Sequence, residues 1–224
     1  MTEHGRVNIL GYEIYADALN QISIKDGVRV INTLNANSYA IAKTDPSFSK
    51  ALKTSDILLP DGFPIVLAAK LLHKKRIKKI AGYDLFSHLM SELNNTGGSC
   101  FFLGASKYTL YHIKKKVKKE YLNIRTHTYS PPFTDDFTPA QNAEMIRRIN
   151  IFSPDILFVG MTAPKQEKWV AKNKDFIQCK IICSIGAVFD FYSGIIPRPG
   201  KIWIRFNLEW FVRLIQEPKR LWRR

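Results

Sequence analysis

The chain has 224 residues, is 46% apolar and carries a formal charge of +15. That length suits one large domain, or one domain with an appendage, and the apolar share suits a globular core. No run is long and apolar enough to span a bilayer, and the first residues lack a secretory h-region, so a cytosolic chain is expected.

The cysteines, Cys100, Cys179 and Cys183, point the same way. An odd number argues against a disulfide framework, and the gap between the last two is not a zinc-knuckle spacing. All three are expected as small buried hydrophobes. The positive charge asks for an anionic partner: nucleic acid, an anionic membrane surface or a phosphorylated ligand. It gathers at 70–79, at 114–119 and at the C-terminus. The two lysine runs read as solvated helix faces and loops.

In chain order, 6–10 and 14–15 are weak strand signals flanking Gly11. A stronger strand at 28–33 follows the Asp26-Gly27 turn and ends in Thr33-Leu34-Asn35, with a helix starting near Asn37. Asp45-Pro46 reads as an N-cap with proline at the first helical position, opening a helix over 47–54. Residues 56–59 form a short buried strand that Pro60 stops. Gly62 permits a tight turn, and 63–72 run as an apolar helix. After Gly82-Tyr83-Asp84-Leu85 a helix reaches about Leu93, and 94–98 end it. Residues 99–103 are a buried strand, and Gly104-Ala105-Ser106 turns into a helix over 107–121. A strand of mixed polarity at 124–129, a polar loop at 130–137 and a helix from Thr138-Pro139 to Asn150 come next. The cleanest strand, 154–160, leads through Met161-Thr162-Ala163 to Pro164. Gln166 and Glu167 then open a helix in the way the helix dipole favours. A strand at 180–184 closes the series.

Such alternation gives a parallel sheet with helices on both faces. The loops that follow parallel strands share one sheet edge, where open α/β folds bind ligands. Thr33, Asn35, Asp61, the Gly104 turn and Gln166 all follow strands, so they are expected to converge. A carboxylate at Asp61 either caps the next helix or takes a proton from a substrate, and the local pattern alone favours the cap. The Gly104 turn is a serviceable phosphate cradle but not a dinucleotide fingerprint. Asp84 is expected either to cap its helix or to touch substrate. His73, His88, His112 and His127 show no metal-ligand spacing, and no Asp-x-Asp suggests a bound divalent ion.

From Ile195 the character changes. Pro197-Arg198-Pro199-Gly200 breaks the chain, and 201–215 are helix-compatible, with Ile202, Phe206, Trp210 and Leu214 on one stripe. Residues 219–224 mix Lys219, Arg220, Arg223 and Arg224 with Trp222. Aromatics beside arginines suit a membrane interface; the plainer reading is a helix packed on the sheet with solvated arginines.

Taken in order, Thr33-Leu34-Asn35, Pro60-Asp61-Gly62, Gly82-Tyr83-Asp84-Leu85, Phe102-Leu103-Gly104-Ala105, the run from Gly160 to Glu167, Gly186-Ala187 with Phe189-Asp190, and Glu209-Trp210 with Arg213, Glu217-Pro218 and Arg220 resemble the WecG/TagA/CpsF glycosyltransferases. The resemblance covers nearly the whole chain. It implies a Rossmann-like catalytic domain over 1–194 and a basic, amphipathic, membrane-associating helical appendage over 195–224 that completes the active site. It implies an inverting, metal-independent enzyme on the inner face of a bacterial membrane, with no cofactor. Such an enzyme moves a sugar from a UDP donor, which is a substrate, to a polyprenyl-diphosphate-linked sugar. N-acetylmannosamine, its uronic acid and glucose-type hexoses all fit the family. By the same resemblance Asp61 is the general base, Thr33, Asn35 and Gln166 line the pocket, and Arg213, Arg220 and Arg223 hold diphosphate. Asp84 and Gly104 join the substrate-binding set. Two positions depart from the family: Lys79 stands where arginine is usual, losing the bidentate fork, and Thr162 replaces a glycine.

Two rival readings remain at this level. A nicotinamide oxidoreductase on the same sheet is disfavoured by the missing glycine fingerprint. A nucleic-acid binder would need one continuous basic stripe, whereas the clusters here lie on separate helices. The expected partners are therefore a UDP-sugar, a lipid-linked sugar and an anionic inner-membrane surface, without nucleic acid; a homo-oligomer stays open.

Overall fold

The computed structural model describes residues 5–26, 29–197 and 200. The amino-terminal signals fold back as an antiparallel hairpin, β1 (Arg6–Ile9) and β2 (Tyr12–Tyr15). Leu10 and Gly11 both take positive φ at the turn, which matches the twist of a two-residue hairpin. This hairpin stands apart from the main sheet.

The main sheet comprises β3 (Arg29–Leu34), β4 (Ile57–Pro60), β5 (Ser99–Gly104), β6 (Arg125–Tyr129), β7 (Ile156–Gly160) and β8 (Ile181–Ser184). Its spatial order is β4-β3-β8-β7-β5-β6, and every pairing is parallel. Parallel neighbours need crossovers, and helices supply them. α1 (Ala36–Thr44) and α2 (Pro46–Lys53) join β3 to β4, and α3 (Phe63–His73) and α4 (Gly82–Thr96) join β4 to β5. α5 (Lys107–Glu120), α6 (Pro139–Phe152) and α7 (Lys165–Asn173) make the later crossovers, and α8 (Gly186–Ser193) follows β8.

The sheet is covered on both faces, so β4, β5, β7 and β8 are buried along their whole length. On one face Ile31, Leu59, Phe102, Phe158 and Cys183 meet α4, α5 and α8 through Phe86, Ile113 and Phe189. Phe86 is central, its ring 5.2 Å from Phe158 and 4.7 Å from Tyr192. The other face lays Val30, Leu103, Leu157, Val159 and Ile182 against Met145 and Ile149 of α6 and Trp169 and Val170 of α7. A third cluster packs the hairpin with α2, α3, Leu34 and Leu58. All three cysteines are buried free thiols, and burial pushes Cys100 up to about 12. Asp45 caps α2 through the Phe48 N–H at 2.9 Å, with Pro46 in the first turn.

In α7, Gln166 and Glu167 stand in the first turn as expected, and both are buried, with Val170 and Asn173 one turn on along the same inward face. Glu167 Oε1 accepts from Gln166 Nε2 at 2.9 Å, while its Oε2 has no partner among the described residues. Burial raises this carboxyl from 4.5 to about 7. The folded chain therefore keeps a proton that the unfolded chain releases between those values, and stability falls as pH rises through that window. Ionising the buried group fully costs about 3.5 kcal/mol at roughly 1.4 kcal/mol per pH unit. Glu167→Gln keeps an acceptor for Gln166 and carries no charge. Its advantage over wild type in urea denaturation should be small near about pH 5 and grow to a clear gain near about pH 8. An equal difference at both values would contradict this account.

Candidate active site

Because the six strands are parallel, their carboxyl ends share one edge, and the loops there are tied to neighbouring strands. The Asp61 N–H donates to the Leu34 carbonyl at 2.9 Å, and the Ile80 N–H to the Pro60 carbonyl at 3.0 Å. The Ile185 N–H reaches Val159 O at 3.0 Å, and the Ala105 N–H reaches Gly160 O at 2.9 Å. The ends of β3, β4, β8, β7 and β5 thus form one continuous shelf.

Asp61 is half-buried at the end of β4. The N-cap of α3 is Gly62, one residue later, so the capping position that the local pattern allowed to Asp61 belongs to its neighbour. Gly62 sits at φ +100, where only glycine is comfortable, and a Cβ there would lie 3.9 Å from Asn35 Cβ. The turn therefore lies close to the start of α1, and the Asp61–Leu34 bond ties it there. Thr33 lies opposite Leu59 in the ladder, half-buried and two residues short of Asn35.

Asn35 is itself the N-cap of α1. Its Oδ1 accepts from the Ser38 N–H and the Ser38 hydroxyl, each at 2.9 Å, leaving the amide Nδ2 as the group it can offer a ligand. Asp84 also has a capping bond, from the Ala81 N–H to Oδ2 at 3.2 Å, so the capping half of its two expected roles is present. Lys79 stands beside the Pro60–Ile80 contact and is half-buried. With Lys78, Ile80, Asp84 and the short helical turn at Leu19–Gln21, it lines a cleft of about 460 Å³.

Across the shelf, Gln166 Oε1 accepts from the Met161 N–H at 3.2 Å, clasping the turn between β7 and α7. That turn contains a cis Ala163-Pro164 bond and holds Thr162 at φ +70. A β-branched residue is strained there, at the position where Thr162 replaces a glycine. A Cβ on Gly186 would fall 2.7 Å from Gln166 Oε1, so the β7 and β8 loops meet at that glycine. With two strands between them, β4 and β7 are roughly 14 Å apart. Gly104 serves packing: at φ +114, a Cβ would lie 2.3 Å from the Gly160 carbonyl. The Ala105 amide already donates to that carbonyl, so one donor of the expected phosphate cradle is engaged.

The structure therefore gathers Thr33, Asn35, Asp61, Gly104 and Gln166 along one edge, with Lys79 and Asp84 beside β4. Arg213, Arg220 and Arg223 lie outside the described residues, as does the helix expected over 201–215. Sequence reasoning missed Glu167 and Gly186 as members of this edge. The spacing of Gln166, Val170 and Asn173 carried the signal for an inward first turn of α7; the Gly186 contact is long-range and had none. Among the described residues, no three His, Cys, Asp or Glu side chains come together as a metal-binding group, and no helix is long and apolar enough to cross a membrane.

A larger cavity, about 530 Å³, opens at the opposite, amino-terminal edge between Lys25, Glu92, Asp155 and Lys180. Its carboxylates are committed to the fold. Asp155 accepts from the Ser99 N–H and from Lys180, each at 2.8 Å, and Glu92 accepts from the Ser23 hydroxyl at 2.6 Å.

Comparison with known proteins matches the shelf's chain to one family. The profile of the glycosyl transferase WecG/TagA/CpsF family matches residues 7–224. A curated relative from Bacillus subtilis, an N-acetylglucosaminyldiphosphoundecaprenol N-acetyl-beta-D-mannosaminyltransferase, is 34% identical over 195 residues, 87% of this chain and 74% of its own length. The protein of the same name from Bacillus spizizenii is 33% identical over 183 residues, 82% of this chain and 69% of its own. With the profile spanning nearly the whole sequence, the chain belongs to the WecG/TagA/CpsF family of glycosyl transferases.

Proposed function

We propose that this chain transfers a sugar, with inversion, from a UDP donor to a polyprenyl-diphosphate-linked sugar, and that N-acetylmannosamine is the sugar moved. The names of the two Bacillus relatives support the acceptor class and the sugar. The observation that supports the catalytic part is the Asp61 N–H bond to the Leu34 carbonyl at 2.9 Å, which ties Asp61 to the end of β3 between Thr33 and Asn35, at the edge where open α/β sheets bind ligands.

Asp61 takes the proton of the acceptor hydroxyl. The oxygen attacks the anomeric carbon from the face opposite the nucleotide, and UDP departs with the bonding electrons. Thr33 and the Asn35 amide hold the sugar hydroxyls. The diphosphate charge is met by Lys79, by the amino ends of α1 and α8, and by Arg213, Arg220 and Arg223 of the C-terminal segment, in place of a metal ion. Asp84 and Gln166 keep the walls of the site in position, and the protein works peripherally on the inner face of the membrane that carries its acceptor.

Asp61→Asn should lower kcat by about a hundredfold or more, the range for loss of a general base, with donor affinity little changed. Steady-state rates on a UDP-N-acetylmannosamine donor, with calorimetric titration of UDP, read both quantities. A near-wild-type rate would remove Asp61 from the role. Excess EDTA should leave wild-type turnover unaffected; loss of activity restored by a divalent ion would contradict the metal-free step.

A further inference from the structure

α3 is apolar almost all the way round, yet only Ile65 and Ala69 are buried. A helix of that composition is normally enclosed. At 100° per residue, Phe63, Leu67 and Leu71 fall within about 80° of one another; Phe63 and Leu71 are exposed and Leu67 is half-buried, while Leu72 is exposed further round the last turn. Leu71 is 71% exposed, Leu72 57% and Phe63 47%. Among the described residues nothing covers these side chains, and an exposed apolar ridge of this kind marks an interaction surface.

What adjoins the ridge identifies its partner. α3 ends at Lys74, and the chain returns through Lys75, Arg76 and Lys78, all exposed, until Ile80 is tied to Pro60. Between Lys74 and Lys79 Ile77 alone is buried, so with Ile80 it pins the loop and leaves the cations outside. Between Gly62 and Tyr83 the sequence has six lysines and arginines and no acidic residue. We propose that α3 and its basic return loop form a docking face for an anionic lipid bilayer. The leucines enter the acyl boundary, and the cations meet the headgroup phosphates.

Charge separates this occupant from two others. A second copy docked symmetrically would set two such cationic loops against each other. Residues 201–224 hold seven basic and two acidic side chains, so they too would meet like charge there. The face begins two residues after Asp61 and runs along the β4 side of the sheet, toward Arg6, whose carbonyl accepts from Lys75. Its use by an enzyme rests on the lipid-linked acceptor proposed above, but vesicle binding is measured without turnover.

The full chain is tested by co-sedimentation with vesicles of phosphatidylglycerol and phosphatidylcholine, and with phosphatidylcholine alone. Leu71→Ser with Leu72→Ser, and separately Lys74→Glu with Arg76→Glu, should each weaken binding to the anionic vesicles by about tenfold or more. Wild type should prefer the anionic vesicles, and both variants should keep wild-type turnover on a short-chain, water-soluble acceptor. Unchanged vesicle binding in both variants overturns the proposal. So does a leucine variant that turns a dimer into a monomer without altering vesicle affinity, which would make a second copy the occupant. If the variants lose binding while wild type transfers no sugar, the docking face stands and the transferase reading fails.

Discussion

The site depends on how the end of β4 is held. Pro60 offers its carbonyl to Ile80, and the next residue, Asp61, gives its amide to Leu34. One short stretch of backbone is thereby fixed between β3 on one side and the chain returning from α3 on the other. Gly62, at φ +100, lets the chain turn away at once, so the Asp61 carboxylate is left at the corner and the α1 cap sits alongside. Two backbone bonds and a forced turn fix where the Asp61 Cα stands and which way its Cβ leaves the chain. A proton acceptor needs that fixed aim toward its substrate.

The same economy governs the far side of the shelf. Gln166 spends its carbonyl on the Met161 amide and its amino group on Glu167, and the buried acid is held by little else. The strained Thr162 and the close Gly186 contact show a turn specified by its surroundings rather than by local preference. Strain and burial of this kind collect where a fold must hold a ligand in one geometry.

Much of this was legible in the sequence, for physical reasons. Strands covered on both faces leave continuous apolar runs, so 99–103 and 156–159 announced themselves, and Asp45-Pro46 carried its cap in plain view. The edge positions of Thr33, Asn35, Asp61 and Gln166 followed from the alternation of strands and helices alone. The rest depended on distance in space. Asn35 as a cap was hidden because Ser38, not an acidic residue, completes its box. The burial of Glu167 was obscured by its charge, and the outward leucines of α3 by an apolar run that reads as core. Family membership adds what neither pattern nor packing supplies, the class of reaction.

The charge is divided in the same way as the two proposed partners. Lys79 lines the cleft beside the end of β4, while the loop after α3 exposes its cations along the flank. The most direct measurement of the central claim is a structure with UDP and a soluble acceptor analogue bound. The account predicts the acceptor hydroxyl within hydrogen-bond reach of the Asp61 carboxylate, with the diphosphate over the ends of β3 and β8. Nucleotide seated instead at the opposite edge, between Lys25 and Lys180, would contradict it.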